Sequence, residues 1–361
     1  MSPADFLGKN HLNFEKGKTK IMTLSDIGFF CSPIGLGHAT RDIAIAQLFD
    51  KNSTKFVTGS GAAKLVVEYG FSVNDSYKPP KFDVQNGILQ GSLKWLWKYY
   101  QYYKDCKEIA AEFVKNQNPR LVVSDEDFAS LTVAQQRGIP SILITDILQT
   151  NFTKGISSLV EKKMNQSMKD IITKCNAVIM PEFGKDYENI RRVGPIVRTT
   201  DYTRDELRKK FSFTKKTITV SVGGTSAGEF LVKKTMDVFS KLKGDLELIV
   251  VSDPSLGLSN EQNIRNLGFV KNLHEIIYAS DLVISLAGKS TIDEARAYGT
   301  PGIFIPIKNH FEQEDNARQE GYSYEDIFRL ESLISEKLES RREPVKADGA
   351  KKACEIIMQY L

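Results

Sequence analysis

Short β-rich apolar runs alternate with helix-patterned segments along nearly the whole chain, and this alternation constrains the fold more than any other feature. In the first half "IGFFCS" is followed by "ATRDIAIAQLF", "KFVTG" by "AAKLVVEYG" and "RLVVSD" by "ASLTVAQQRG", with "SILITDI" closing the series. A second series begins at "TITVSVGG" and runs through "EFLVKKTMDVFSKL", "LELIVVS", "DLVISLAG", "TIDEARAYG" and "GIFIPI". Strand, helix and strand in repeated order predict parallel strands joined by crossover helices, hence an α/β protein of two Rossmann-like halves. The length of 361 residues suits two domains of ordinary size. Between the series, "RRVGPIVRTTDYTRDELRKKF" gathers charge and loses apolar periodicity, which puts the boundary near Arg198 to Asp205. The expected division is an N-terminal tail at 1–22, a first domain at 23–200 and a second at 201–361, with the final helix free to pack back on the first. Two such halves facing each other leave a deep cleft.

Composition removes several classes of function. A net charge of +4, from 49 basic and 45 acidic residues, is too small and too evenly spread for a nucleic-acid partner. Cys31, Cys106, Cys175 and Cys354 lie far apart without a CxxC pair, so neither a metal site nor a disulfide framework is expected, and the setting reads as reducing and cytoplasmic. The opening "MSPADFLGKNHLNFEKGKTK" lacks the apolar core of a secretory signal. No uncharged apolar stretch approaches the roughly 20 residues of a membrane span, so any membrane contact is peripheral. After Gly35 and Gly37 the next glycine is Gly59, so the GxGxxG fingerprint is missing; no GxxxxGK[ST] occurs either. A dinucleotide dehydrogenase and a P-loop enzyme are both unsupported.

In open parallel sheets, ligands bind at the carboxyl ends of the strands. "GLGHATRD" follows such an end: Gly35 and Gly37 permit a sharp turn, and His38 stands at the mouth of the cleft. "DLVISLAGKSTIDEARAYGTPGIFIPIKNHFEQEDNA" supplies a second site. A helix is expected to start near Ser290 or Thr291, with free amides that suit a phosphate. Glu294, one turn inside, is placed to accept from two ribose hydroxyls, and Glu312 and Gln313 suit the hydroxyls of a sugar. The structural alternative makes Ser290 or Thr291 an N-cap and Glu294 the partner in a capping box. Glycine turn, helix start, acidic residue and "EQEDNA" in succession favour the ligand.

This constellation resembles the GT-B glycosyltransferases, especially the branch of the lipid II-forming N-acetylglucosaminyltransferase, through Gly288, Thr291, Glu294, Gly299 and Pro301. The resemblance implies a GT-B architecture, a UDP-sugar donor, Glu294 on the ribose, and Glu312 and Gln313 on the sugar. It departs at Leu286, where many relatives carry a phosphate-binding histidine, so the backbone amides of Gly288 to Thr291 must hold the diphosphate. "SVGGTSAG" resembles the first glycine turn of the same domain, with Gly223, Gly224 and Thr225 near the diphosphate; an ordinary strand-to-helix turn is the alternative. "NLGFV" matches the stretch that reads the uracil edge, which makes Phe269 and Val270 candidates, although Phe269 also suits a core. "GLGHATR" resembles the acceptor-domain loop. An ordinary imidazole titrates near neutral pH, at about 6.5, so His38 suits a general base, with bracing of the loop or contact with phosphate as the alternatives. By the same resemblance Asp125 orients His38, with Glu126 and Asp127 less well placed. Arg41 counters donor phosphate, or pairs with Asp42 or solvent.

"SLKWLWKYYQYYKDCKEIAAEF" places Trp95, Tyr99, Tyr102, Cys106, Ile109 and Phe113 at helical spacing beside a second row of Leu96, Tyr100, Tyr103 and Ala110. Flanked by Lys94, Lys98, Lys104 and Lys107, this face either packs on the sheet or rests on the inner face of a membrane. The expected activity is an inverting, metal-independent and cofactor-free transfer from a UDP-sugar to a lipid-linked or soluble hydroxyl acceptor. The alternatives are a UDP-sugar hydrolase of sialic-acid-like sugar biosynthesis, a 2-epimerase, and a catalytically silent sugar-nucleotide sensor.

Overall fold

A computed structural model of the chain describes residues 26–150, 158–223, 226–252 and 263–361. The tail at 1–22, Gly224, Thr225 and the side chains of Lys94 and Leu96 lie outside that description. The first domain begins with β1 (Ile27–Cys31), α1 (Gly37–Ala46), β2 (Thr54–Thr58), α2 (Ser60–Glu68), β3 (Ser72–Asp75), a hairpin of β4 (Val84–Gln85) and β5 (Ile88–Leu89), and the long α3 (Ser92–Gln117). It continues through β6 (Leu121–Asp125), α4 (Phe128–Gln136), β7 (Ser141–Ile144), α5 (Ser158–Lys174), β8 (Ala177–Met180) and β9 (Ile190–Arg192). The second domain carries α6 (Arg204–Phe211), β10 (Lys216–Ser221), α7 (Glu229–Phe239), β11 (Leu246–Val251), β12 (Ile264–Asn266) and α8 (Leu273–Ala279). After them come β13 (Leu282–Leu286), α9 (Lys289–Ala297), β14 (Gly302–Ile305), α10 (Phe311–Gln319), α11 (Leu330–Lys337) and α12 (Gly349–Met358).

Each domain is built on a parallel sheet, ordered β3-β2-β1-β6-β7-β8-β9 in the first and β12-β11-β10-β13-β14 in the second. Central strands such as IGFFC and LVISL are buried at every position, as strands covered by helices on both faces must be. Strand order reverses direction between β1 and β6, and again between β10 and β13. At such a reversal the following loops diverge and open a crevice at the carboxyl ends. β3, β8, β9 and β12 were not among the expected strands. β3, β9 and β12 include half-buried or exposed positions, so their apolar runs are weak, whereas β8 is an AVIM run buried throughout and no shorter than β7.

Two segments cross from one domain to the other. The β4–β5 hairpin, inside the expected first domain, lies on the second: Leu89 joins the second domain's core, and its N–H donates to the Lys308 carbonyl at 2.9 Å. In return α12 packs on α1, with Ala353 and Ile357 inside the first domain's core. Gly349 makes the start of α12 sterically feasible, because a Cβ there would sit 2.4 Å from the carbonyl oxygens of Gly194 and Pro195. Ile357 is fully buried, so Ile357→Ala should cost about 2–5 kcal/mol by removing methyl groups from a packed core. Urea unfolding measures the loss, and hydrogen exchange should place it in β1 and α1. Loosening confined to the second sheet would contradict this assignment of α12.

Candidate active site

The cleft between the domains has a volume of about 1380 Å³, and both crevices open into it. On the first-domain side, Gly35 turns the chain at φ +86°, a conformation that favours glycine, and α1 starts at Gly37. His38 therefore lies in the first turn of α1, beside the end of β6. Its Nδ1 is 2.8 Å from Asp125 Oδ1 and its Nε2 is 3.8 Å from Glu126 Oε2. Arg41, one turn further, grips Asp125 through Nε at 2.5 Å and Nη2 at 2.6 Å, and donates from Nη1 to Asp146 at 2.6 Å.

This geometry corrects the expectation for Arg41 and leaves Asp125 ahead of Glu126 and Asp127 as the partner of His38. Arg41 is only 2% exposed and is committed to Asp125 and Asp146 rather than to donor phosphate, Asp42 or solvent. Glu126, ranked below Asp125 for the histidine, occupies the side of the ring opposite to it; at φ 54° its backbone turns the side chain toward Thr145 and the Asp146 amide, which donate to its Oε1. Asp127 faces away, capping α4 and accepting from the Tyr77 hydroxyl at 2.8 Å.

Burial alone would lower the His38 pKa, but the Asp125 carboxylate, its hydrogen bond and the Glu126 charge outweigh that and raise it to about 9. Burial would conversely raise the Asp125 carboxyl; the Arg41 guanidinium and His38 hold it well below the usual carboxylate range. From the opposite domain Glu312 enters the same field, where burial and the charges of Glu126 and Asp146 push it up to about 8.

On the second-domain side, α9 begins at Lys289 with Gly288 as its N-cap and no capping side chain. The capping box is thus not formed. Ser290 instead donates across the cleft to the Gly37 carbonyl at 2.9 Å, joining the two glycine loops, and Thr291 lines the same wall. Glu294 is buried and paired with Arg198 from the linker between β9 and α6, at 2.8 Å. Gly223, at φ 74°, follows β10 with open space where a Cβ would be. Gln313 lines the cleft near Glu312, and its Oε1 accepts from the Ile307 amide. Val270 packs in the second domain, whereas Phe269 packs on the first domain's core with the Lys64 ammonium 4.6 Å from its ring centre.

The aromatic helix divides along its length. Cys106, Ala110, Phe113 and Val114 join the core under the sheet, while the Trp95 ring stacks between Phe82 and Tyr99 along the cleft wall. Trp97 and Tyr100 remain exposed, with the Lys104 ammonium over the Tyr100 ring. Among the described residues no helix is long and apolar enough to cross a membrane. The cysteines are free and buried.

Residues 217–349 match the glycosyltransferase family 28 C-terminal domain. The second domain is a family 28 glycosyltransferase domain. Among relatives of the chain, an uncharacterized glycosyltransferase of Methanosarcina acetivorans is 27% identical over 81% of this chain and 83% of its own length. The UDP-N-acetylglucosamine–N-acetylmuramyl-(pentapeptide) pyrophosphoryl-undecaprenol N-acetylglucosamine transferase of Carboxydothermus hydrogenoformans is 28% identical over 78% of each chain. Among solved structures, the glycotransferase of kitacinnamycin aligns at TM-score 0.62 and 14% identity, covering 93% of this chain and 98% of that one. MurG from Acinetobacter baumannii aligns at TM-score 0.51 and 14% identity, covering 93% and 99%. These likenesses make the fold GT-B, and the matched domain with the sequence relatives makes the chain a glycosyltransferase.

Sequence reasoning missed Asp146 and Arg198. Asp146 ends "SILITD" just past the carboxyl end of β7, where ligands gather, so that rule could have found it. Arg198 stands in a linker with no motif around it.

If the His38–Asp125 contact sets the imidazole, the His38 ring protons should titrate near 9 by NMR, and Asp125→Asn should bring that value down to 6.5 or below. The folded value exceeds the unfolded one. The contact therefore contributes its full stability below pH 6.5 and loses it as pH rises through about 9.

Proposed function

We propose that this glycosyltransferase moves a sugar from a UDP-sugar to a hydroxyl acceptor with inversion, using His38 as general base and neither metal nor cofactor. The observation that carries the reading is the meeting of His38, held by Asp125, with the start of α9 across one cleft. The N-terminus of α9 is a seat for the diphosphate, since its unpaired amides and the positive end of its dipole face the space beside Gly288 and Ser290. Glu294 takes the ribose, Glu312 and Gln313 take the sugar, and Phe269 and Val270, on the cleft wall, read the base. With Nδ1 engaged by Asp125, Nε2 is the nitrogen that receives the acceptor proton. As the hydroxyl attacks the anomeric carbon, the bond to the diphosphate breaks and UDP leaves with its charge on the α9 amides.

The wall of Pro80, Phe82, Trp95 and Tyr99 gives an acceptor room in the cleft that His38 also lines, which favours transfer over hydrolysis by water. Exposed Trp97 and Tyr100 next to Lys104 support an acceptor presented at a membrane surface.

His38→Ala should lower turnover by roughly 100-fold or more while UDP affinity barely changes, since the donor is held by the opposite domain; Asp125→Asn should lose less. Near-normal turnover in His38→Ala would end the base assignment. UDP release without any acceptor at the catalytic rate would identify a hydrolase instead. At neutral pH an imidazole raised to about 9 is mostly protonated, and only its neutral form accepts a proton. The rate should consequently climb as pH rises toward 9. A rate that falls over that range, measured in the same assay, would show that protonated His38 acts on the phosphate.

A further inference from the structure

Arg198 takes no part in the chemistry above, yet it reaches the residue assigned to the ribose. It is 3% exposed, and its Nε and Nη2 stand 2.9 and 2.8 Å from Glu294 Oε1. Nη1 donates to the Lys271 carbonyl at 2.9 Å and approaches the Tyr69 hydroxyl, from the first domain, at 3.5 Å. The Arg198 carbonyl in turn accepts from the Tyr298 hydroxyl at 2.8 Å, one turn beyond Glu294 on the same helical segment. Both contacts to the carboxylate fall on Oε1. Glu294 lines the cleft, and among the described residues no hydrogen bond reaches its Oε2.

A buried carboxylate without a counter-ion takes up a proton or turns toward water. Two N–H groups of the planar guanidinium converge on Oε1, which fixes that oxygen and keeps the group charged; a single ammonium does this less well. We propose that Arg198 is a positioning residue for nucleotide recognition: it holds Glu294 by Oε1 so that Oε2 meets the vicinal hydroxyls of a ribose. Because Arg198 belongs to the linker and also touches Tyr69, the ribose site is complete only when the two domains are docked. This rests on the reading of Glu294 as the ribose carboxylate.

Calorimetric binding of UDP, GDP and ADP, each against its 2′-deoxy counterpart, tests the idea on the full chain. Wild type should prefer the ribonucleotide by about tenfold or more, the scale of a lost hydrogen bond to a charged group. Glu294→Gln should collapse that ratio. Arg198→Gln should collapse it too, with little change for the deoxynucleotide, and Arg198→Lys should recover part of it. The double variant should bind like Glu294→Gln alone, since an absent carboxylate cannot be misplaced. A ratio retained in Arg198→Gln overturns the proposal, as do additive losses in the double variant; if Arg198→Gln fails to fold, an unchanged ratio in Arg198→Lys does the same. A merely structural arginine would lower stability and leave the ratio alone. Should Glu294→Gln keep the ratio, or wild type show neither preference nor binding, the ribose reading itself falls and the proposal with it.

Discussion

The centre of the cleft depends on one buried charge. Asp125 has no exposure, and taking an isolated carboxylate that far from water is costly enough that it would normally be neutral. Arg41 supplies two short bonds and His38 a third, so the group stays ionised, and Arg41 is in turn anchored by Asp146. The arrangement fixes the histidine's ring and its charge together. It also explains why an arginine one turn along α1 faces inward: its positive charge is needed between carboxylates at the ends of β6 and β7, not at the mouth of the cleft.

The same logic repeats at the domain junction with different residues. Arg198 and Glu294 are both buried, and either one alone would be an unpaired charge in a poorly solvated place. Ser290 bonded to the Gly37 carbonyl, the hairpin on the second domain and α12 on the first tie the halves at separate points. A site shared between two domains needs such ties, because a shift of an ångström at the junction displaces groups that must act on the same sugar.

Much of this was legible beforehand because it follows from local pattern. All-buried strands flanked by amphipathic helices announce a parallel sheet, and the rule that ligands gather at carboxyl ends picked out His38 and the Gly288 turn, while Asp125 came from the family resemblance. The capping box around Glu294 was a reasonable local alternative that failed: Gly288 takes the N-cap position, and Ser290 finds its partner 253 residues away. Phe269, read for the base, also lies against the core of the first domain.

The sequence by itself determined the two Rossmann-like halves, the glycine loops and the residue types at strand ends, since these depend on periodicities of a few residues and on the backbone freedom of glycine. Only the tertiary structure decided the partners of the charged groups. Arg41 could have met phosphate, Asp42 or water, and it meets Asp125 and Asp146; Arg198 read as linker, and it holds Glu294. A buried charge selects its counter-ion by proximity in space, and proximity across 84 or 96 residues is set by the packing of sheets and helices rather than by neighbours in the chain.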